Sequence, residues 1–228
     1  MVLDSADNMT FSNDGAQLFR AALSRDQLKG LGAALSHLPH DRAGLRLRDV
    51  EGLASFLTST GPIGRFAASV LGADCRPVRA ILFDKTPETN WIVGWHQDRT
   101  IAVKQRAVVE GFETWSVKSG MLHVEPPFEL LSGMVTLRVT IDPIPASNAP
   151  LLIAPGSHKL GRVAETSVRE VVRRCGTVAC LAEPGDIWLY ASSILHASEA
   201  AVSPVHRRVL HVDFSAEQLP GGLEWLGV

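Results

Sequence analysis

After about residue 75, the chain becomes a succession of short β-rich runs separated by glycine, proline, aspartate and asparagine. These runs are VRAILFD, WIVGWH, GMVTLRVTID, LLIA, TVACLA, DIWLYAS and RRVLHVDFS. A helical pattern interrupts them in VAETSVREVVRRCG. Many short strands divided by turn residues are typical of an antiparallel sandwich or barrel. The pattern therefore predicts a jelly-roll barrel.

The first part of the chain has a helical pattern instead. SRDQLKGLGAALSHL begins with a capping-box pair, Ser24 and Gln27, and continues with leucines that fall on one helical face. VEGLASFLTS and GPIGRFAASVLG predict two further short helices. We therefore expect an α+β, mainly β protein with a single domain over residues 1–228. In it, a helical part at about 1–75 packs on a double-stranded β-helix (jelly roll, cupin-like) at about 76–216.

Composition limits the classes of function. A formal net charge of -2 over 228 residues gives no general attraction to nucleic acid or to an anionic membrane. No run approaches the ~20 apolar residues of a membrane span, and the N-terminus lacks the pattern of a signal peptide. Three cysteines without CxxC spacing indicate neither a zinc site nor a disulfide framework. We expect a cytoplasmic protein that acts on a small molecule, while its oligomeric state stays unknown.

The segment GWHQDRT contains a histidine and an aspartate that are separated by one residue. Side chains alternate along a strand, so His96 and Asp98 point the same way and Gln97 points to the other face. Such a pair is common in proteins. At this point it is either an open metal site or two polar residues on a surface strand.

A second pair of polar residues follows late in the chain, in GDIWLYASSILHASEAAVSPVHRRVLHVDF. His196 lies at the end of an apolar strand, and Arg207 begins the next β run. Two histidines and one carboxylate on one side of an octahedral iron leave positions for a bidentate 2-oxoacid and dioxygen. An arginine suits the far carboxylate of such an oxoacid through its fork of donors. His96, Asp98, His196 and Arg207 are therefore candidates for one site.

With these segments, the sequence resembles the phytanoyl-CoA dioxygenase family of Fe(II)/2-oxoglutarate oxygenases. The matching pieces are WHQD, APGSHKLG, GDIWLYASSILHAS and SPVHRR, which span about residues 79–214. The family pattern is an HxD pair, a PGSH loop, a GD turn and a distal histidine, with serine and arginine two and eleven residues later. The resemblance implies two sets of ligands: His96, Asp98 and His196 for the metal, and Arg207 and Ser198 for 2-oxoglutarate.

The resemblance implies an Fe(II)- and 2-oxoglutarate-dependent dioxygenase with Fe(II), 2-oxoglutarate and O2 as cofactors. The simplest reaction is hydroxylation of a C–H bond in a small molecule, with release of succinate and CO2. Halogenation is disfavoured because Asp98 fills the position that halogenases of this fold leave for halide. Two alternatives stay open. One is a cupin-like metalloprotein with non-oxidative chemistry, which gives no reason for Arg207, and the other is a catalytically silent ligand-binding member.

Two positions depart from the family pattern. Alignment back from PGSH places Arg138 where relatives carry a tryptophan near the oxoacid, and this puts the polar face of GMVTLRVTID inside the barrel. Arg138 then contacts either 2-oxoglutarate or an anionic group of the substrate. Without such a partner, a buried arginine requires a protein carboxylate such as Asp142 or Asp213. Ala149 replaces the glycine of the usual Asn-Gly turn.

Three further residues are candidate substrate contacts. Trp115 and His123 lie in the long segment 99–133, which we expect to cover the site. Lys85 aligns with a basic family position and either faces the pocket entrance or is solvated in a loop. The cations of the covering segment, together with Arg138, outnumber what one dicarboxylate needs. An anionic small molecule is therefore the expected substrate, unless these cations form a solvated lid surface.

Overall fold

The computed structural model describes residues 6–39 and 42–228, so that residues 1–5, 40 and 41 of the predicted helical part lie outside the described residues. The α-helices are α1 (Phe11–Asp14), α2 (Arg25–Leu35), α3 (Leu53–Leu57), α4 (Gly64–Leu71), α5 (Phe128–Ser132) and α6 (Val168–Cys175). The strands are β1 (Ala16–Phe19), β2 (Gly44–Leu47), β3 (Arg76–Lys85), β4 (Val93–His96), β5 (Ile101–Val103), β6 (Glu113–Lys118), β7 (Met121–Glu125), β8 (Val135–Thr140), β9 (Leu151–Ile153), β10 (Val178–Cys180), β11 (Ile187–Ala191), β12 (His196–Ser198) and β13 (Arg207–Ser215). Short 3-10 helices occupy Ala146–Asn148, Ser157–Leu160 and Glu165–Ser167.

In the described part of the chain, the strands form three antiparallel sheets. The large sheet has the order β1-β11-β8-β13-β3-β2, the second sheet β10-β9-β12-β4, and the third β5-β7-β6. Apolar side chains of the large and second sheets pack against each other in one core cluster, among them Leu151, Ile153, Trp188 and Tyr190. Two facing antiparallel sheets are the arrangement of a jelly roll. The predicted fold class is therefore confirmed.

Helices α2, α3 and α4 cover the outer face of the large sheet. The predicted capping box begins α2, since Ser24 Oγ accepts from the Gln27 amide at 3.2 Å and the Gln27 side chain accepts from the Ser24 amide at 2.9 Å. Leu31 and Leu35 of α2 are buried in the core cluster that includes residues of β8, β11 and β13. The amphipathic faces of the helices therefore close one side of the sheet.

Strand β8 shows how the two faces of the large sheet are used. Val135, Leu137 and Val139 belong to the core beneath the helices. Arg138 points to the other side and lines a cavity between the sheets. All six residues of β8 are buried, because helices cover one face and the second sheet covers the other. The predicted inward direction of the polar face is confirmed.

The part of the chain predicted as helical also contains two strands. β1 pairs with β11 and β2 pairs with β3, so they form the two edges of the large sheet. Each strand has four residues. Four residues are too few for a periodicity argument to separate a strand from a loop. β2 bears on the site because it brings Arg46 to the inner face of the large sheet.

The covering segment 99–133 forms the third sheet and helix α5. Its apolar side chains pack with Val78 of β3 and with Leu223 and Trp225 near the C-terminus. β5 also bridges to Trp225. The segment is therefore held by a core of its own beside the barrel. Within the described ranges, no helix has the length and apolar character that a membrane span requires.

Candidate active site

A cavity of about 650 Å³ lies between the large sheet and the second sheet. Strands of both sheets contribute its walls, and Arg99, Thr100 and Lys118 enter from the covering segment. This volume lies in the range of sites that bind small molecules. The cavity is lined by every predicted metal and cofactor residue: His96, Asp98, His196, Ser198, Arg207 and Arg138.

His96, Asp98 and His196 come together at one end of two neighbouring strands. His96 ends β4 and His196 begins β12, and these two residues are directly paired across the antiparallel strands. Their ring centroids are 4.3 Å apart. Asp98 follows β4, with Oδ1 4.0 Å from His96 Nε2. One ligand atom from each of the three side chains lies within 4.8 Å of the others, which is a geometry that can hold a metal ion.

Backbone carbonyls orient both imidazole rings. His96 Nδ1 lies 2.8 Å from the Gly94 carbonyl oxygen, and His196 Nδ1 lies 3.0 Å from that of Ile194. A carbonyl can only accept, so each Nδ1 carries the proton and each Nε2 has a free lone pair. Burial lowers the pKa of His196 to about 4, against the opposing effect of Asp98. The ring is therefore neutral at physiological pH, as a metal ligand must be.

A buried arginine holds Asp98 in its charged form. Arg79 Nη2 donates to Asp98 Oδ2 at 2.8 Å, and Arg79 Nε donates to Asp213 Oδ2. Burial alone would raise the pKa of Asp98, but the adjacent guanidinium holds it below its usual value. The carboxylate of Asp98 can thus face the cavity as an anion. Imidazole nitrogens with one carboxylate are a ligand set that suits iron(II), so the residues present fit this metal.

A second group of possible ligands shares Asp98. Asp98, His211 and Asp213 also lie within 4.8 Å of one another. Both oxygens of Asp213 are already engaged, because Oδ1 accepts from Thr136 Oγ1 at 2.8 Å and Oδ2 accepts from Arg79. His211 Nε2 faces the same carboxylate at 3.1 Å. The group with two free Nε2 atoms is therefore the better metal site.

Arg207 is a buried cation whose guanidinium group is only partly hydrogen-bonded to the described residues. Its side chain begins β13 and is 1% exposed, and Nη1 donates to the Ala149 carbonyl oxygen at 2.9 Å. Its Nε is buried and has no hydrogen-bond partner among the residues that the structure describes. Burial and the charge of Arg138 lower the pKa of Arg207. Arg208 points away instead and forms a two-pronged pair with Asp142, as the alternation of strand faces predicts.

Arg138 also faces the cavity without a carboxylate. Its guanidinium lies 5.9 Å from the centre of the Phe83 ring. The two acids that could have neutralised it have other partners, since Asp142 pairs with Arg208 and Asp213 with Arg79. An unpaired charge at this depth needs an anion from outside the protein.

The position of Lys85 differs from both predictions made for it from the sequence. It is neither at the cavity entrance nor solvated, because it is fully buried and does not line the cavity. Its Nζ donates to the carbonyl oxygens of Trp91 and Glu199 and, at 3.3 Å, to Ser198 Oγ. Burial, with the charges of Arg207 and Arg138, lowers its pKa to about 8. Lys85 ends a strand that is covered on both faces, so its ammonium is satisfied inside the protein.

Trp115 and His123 do not reach the cavity wall. Trp115 packs in the core of the third sheet, where the Arg106 guanidinium lies 5.2 Å from its ring centre. His123 is fully buried, and its Nδ1 lies 2.9 Å from the Met121 carbonyl oxygen. The sequence predicts these two residues as substrate contacts, but neither is among the residues that line the cavity. Their side chains help hold the covering segment together, and it is Lys118 that turns towards the cavity.

Several cavity residues were not identified from the sequence. Arg79, Ile81 and Phe83 of β3 line the cavity, and their spacing of two residues was a usable signal. Tyr190 was part of a uniformly apolar run that shows no preferred face. Arg46 lay in a segment predicted as helical or loop, so no pattern indicated it.

Comparison with known proteins agrees with this geometry. The family model of phytanoyl-CoA dioxygenase (PhyH) matches residues 11–209. Ectoine dioxygenase of Sphingopyxis alaskensis is 25% identical over 239 aligned positions, covering 86% of this chain and 71% of that protein.

Two solved structures share the fold. Iron-bound EctD from S. alaskensis has a TM-score of 0.62 at 20% identity, over 93% of this chain and 78% of that one. HygX from Streptomyces hygroscopicus, solved with nickel, 2-oxoglutarate and hygromycin B, has a TM-score of 0.61 at 13% identity, over 90% and 84%. The chain therefore belongs to the phytanoyl-CoA dioxygenase family and is a dioxygenase that uses Fe(II), 2-oxoglutarate and O2.

Proposed function

We propose that this enzyme hydroxylates a C–H bond of a small molecule in the cavity between the sheets, with iron(II) held by His96, Asp98 and His196. One observation carries the proposal. Three ligand atoms within 4.8 Å of one another share a single cavity with Arg138 and Arg207, neither of which has a carboxylate partner in the described part of the chain. A non-oxidative metal site would need the three ligands but would not need the arginines.

The protein contributes position and charge to this reaction. When bound, iron(II) with 2-oxoglutarate supplies the activation of O2 and the oxidation of the substrate, with succinate and CO2 released. Arg79 keeps Asp98 ionised, and the Gly94 and Ile194 carbonyls keep the Nε2 atoms of both histidines free. The chain therefore presents an ionised carboxylate and two imidazole rings whose Nε2 atoms are directed away from the backbone acceptors.

Arg207 and Ser198 bind the distal carboxylate of 2-oxoglutarate in this proposal. The buried, partnerless Nε of Arg207 supports it, because a carboxylate is the planar acceptor that an arginine fork fits. Lys85 donates to Ser198 Oγ and so orients this hydroxyl beside the cavity. Arg138 is near enough for its charge to lower the pKa of Arg207, so one dianionic oxoacid can interact with both.

The substrate in this proposal is a small anion. Among the described residues, the cavity walls carry six cationic side chains and two carboxylates: Arg46, Arg79, Arg99, Lys118, Arg138 and Arg207, and Asp98 and Glu165. One dicarboxylate cofactor beside a divalent metal leaves positive charge unbalanced. The relative named ectoine dioxygenase and the hygromycin B bound in HygX support a small substrate rather than a macromolecule.

The test is to add Fe(II) and then 2-oxoglutarate under anaerobic conditions and to record the weak visible charge-transfer band of the chelate. We expect the band in the native enzyme and its loss in His196→Ala. His206→Ala is the matched control, since His206 is 63% exposed and pairs with Asp84 outside the cavity. Metal binding without the band would favour the cupin-like alternative. Substrate-stimulated succinate release across small organic acids and amino acids would then identify the substrate class.

A further inference from the structure

Arg46 and Arg138 both line the cavity from the large sheet, on strands β2 and β8, which are separated by β13 and β3. In the register of the large sheet, Arg46 pairs with Ile81, Ile81 pairs with His211, and His211 pairs with Arg138. Neighbouring strands are about 4.8 Å apart, so three spacings separate the two arginine backbones by roughly 14 Å. The cation at the β2 edge is therefore distinct from the pair, Arg138 and Arg207, that we assign to 2-oxoglutarate.

Lys118 of the covering segment lies beside Arg46. Arg46 Nη1 donates to Ser119 Oγ at 3.2 Å, and Lys118 Nζ donates to Thr100 Oγ1 at 3.1 Å. Both side chains line the cavity. Hydroxyl partners satisfy single hydrogen bonds, and neither charge has a carboxylate partner among residues 6–39 and 42–228. Within the same ranges, the buried Arg46 Nε has no hydrogen-bond partner.

The acids around this pair are already engaged. Asp98 pairs with Arg79 at 2.8 Å, Asp213 also pairs with Arg79, and Glu165 pairs with Arg99. Burial and the charge of Arg79 lower the pKa of Arg46, and burial with both arginines lowers the pKa of Lys118. Two unpaired cations held together in a partly buried site repel each other unless an anion lies between them.

We propose that Arg46 and Lys118 form a subsite for an anionic group of the substrate, either a carboxylate or a phosphate. This inference rests on the proposed function and deepens it, because it assigns the anionic group of the substrate to a site that is separate from the 2-oxoglutarate site. The arginine fork and the lysine ammonium are the two side chains that bind both kinds of anion. Lys118 Nζ donates to Thr100 Oγ1, and Thr100 follows Asp98 by two residues, so the subsite lies on the side of the cavity where Asp98 is found.

The experiment measures thermal unfolding of the anaerobic enzyme with Fe(II) and saturating 2-oxoglutarate, so that the cofactor arginines are occupied. Sulfate is added as the phosphate-like probe and acetate as the carboxylate probe. At about ten times its Kd, a specifically bound anion should raise Tm by about 3–6 °C. Arg46→Gln and Lys118→Gln should lose this rise. Arg48→Gln and Lys104→Gln are the matched controls, since these residues pair with Asp49 and Glu224 at the surface.

A rise with sulfate alone assigns a phosphate-like group, and a rise with acetate assigns a carboxylate. No rise with either anion, or an equal rise in Arg46→Gln, overturns the subsite. The rise in Tm caused by 2-oxoglutarate alone is measured first, before sulfate or acetate is added. If 2-oxoglutarate does not raise the Tm of the native enzyme, the proposed function is contradicted. If it raises the Tm of the native enzyme but not that of Arg46→Gln, Arg46 binds the cofactor and the subsite is overturned. If Arg46→Gln does not fold, Arg46→Lys keeps the charge and should retain part of the rise.

Discussion

Arg79 donates a hydrogen bond of 2.8 Å to Asp98 Oδ2, and this contact ties the HxD segment to the large sheet. The same guanidinium holds Asp213 on the neighbouring strand, where Asp213 and Arg79 are directly paired. One largely buried cation thereby contacts two carboxylates, Asp98 and Asp213. Asp98 lies beyond the end of β4, so this bond is what orients its carboxylate in the absence of a strand ladder.

Arg79→Met should weaken both folding and iron binding. Removing one partner of a buried ion pair typically costs about 3–5 kcal/mol, because the remaining charges have no compensation. Loss of a group that orients a metal ligand typically weakens metal affinity by about 10–100-fold. Denaturant unfolding and calorimetric titration with Fe(II) measure the two effects. Arg76→Met on the same strand is the control, and unchanged iron affinity in Arg79→Met would contradict the role given to this bond.

Arg207→Ala and Arg208→Ala should separate cofactor binding from surface pairing. Hydrogen bonds to charged groups contribute about 1.5–3 kcal/mol, so loss of Arg207 should raise the KM for 2-oxoglutarate by roughly 10–150-fold. Arg208 is 38% exposed in its pair with Asp142, and its loss should leave this KM nearly unchanged. Steady-state kinetics at varied 2-oxoglutarate gives both values. Equal increases in the two variants would show that the strand faces are assigned wrongly.

Ala149→Gly should stabilise the protein. Ala149 has φ 47° and ψ 65°, the left-handed conformation that the usual glycine of this turn adopts freely. An L-residue there is strained by about 1–2 kcal/mol, and relief of that strain exceeds the added entropy of the unfolded chain, for a net gain of up to about 1 kcal/mol. Ala154→Gly, at a buried position without positive φ, should destabilise. A lower unfolding free energy for Ala149→Gly would contradict this reading of the turn.

The three thiols should differ in their reaction with iodoacetamide at pH 8. Burial raises the pKa of Cys180 to about 12 and also raises that of Cys75, so neither forms the reactive thiolate in the folded protein. Cys175 is half-buried at the end of α6 and should react alone, because only its sulfur is accessible to the reagent. Mass spectrometry should find one modification in the native enzyme and none in Cys175→Ser. Early labelling of Cys180 would show that the barrel core opens.

Local chemistry determined much of this protein from sequence alone. The capping box of α2 and the common direction of His96 and Asp98 follow from backbone geometry that a few residues specify by themselves. Arg207 and Arg208 take opposite faces of a strand for the same reason. The order of HxD, PGSH and distal histidine also predicted the family, because the chemistry restricts which residue types can occupy those places.

Only the tertiary structure decided which charges meet. The hydrogen bond between Arg79 and Asp98 and the position of Arg46 in the cavity wall both depend on how distant segments pair. Local periodicity does not encode this register. β2 is too short to show an alternation of apolar and polar residues, so the sequence did not indicate that Arg46 faces the cavity. Lys85 is buried with one acceptor from the loop that follows its own strand, Trp91, and one from a distant segment, Glu199. Covering both faces of a strand removes the apolar–polar contrast on which sequence patterns depend, so the burial of its charges is set by packing alone.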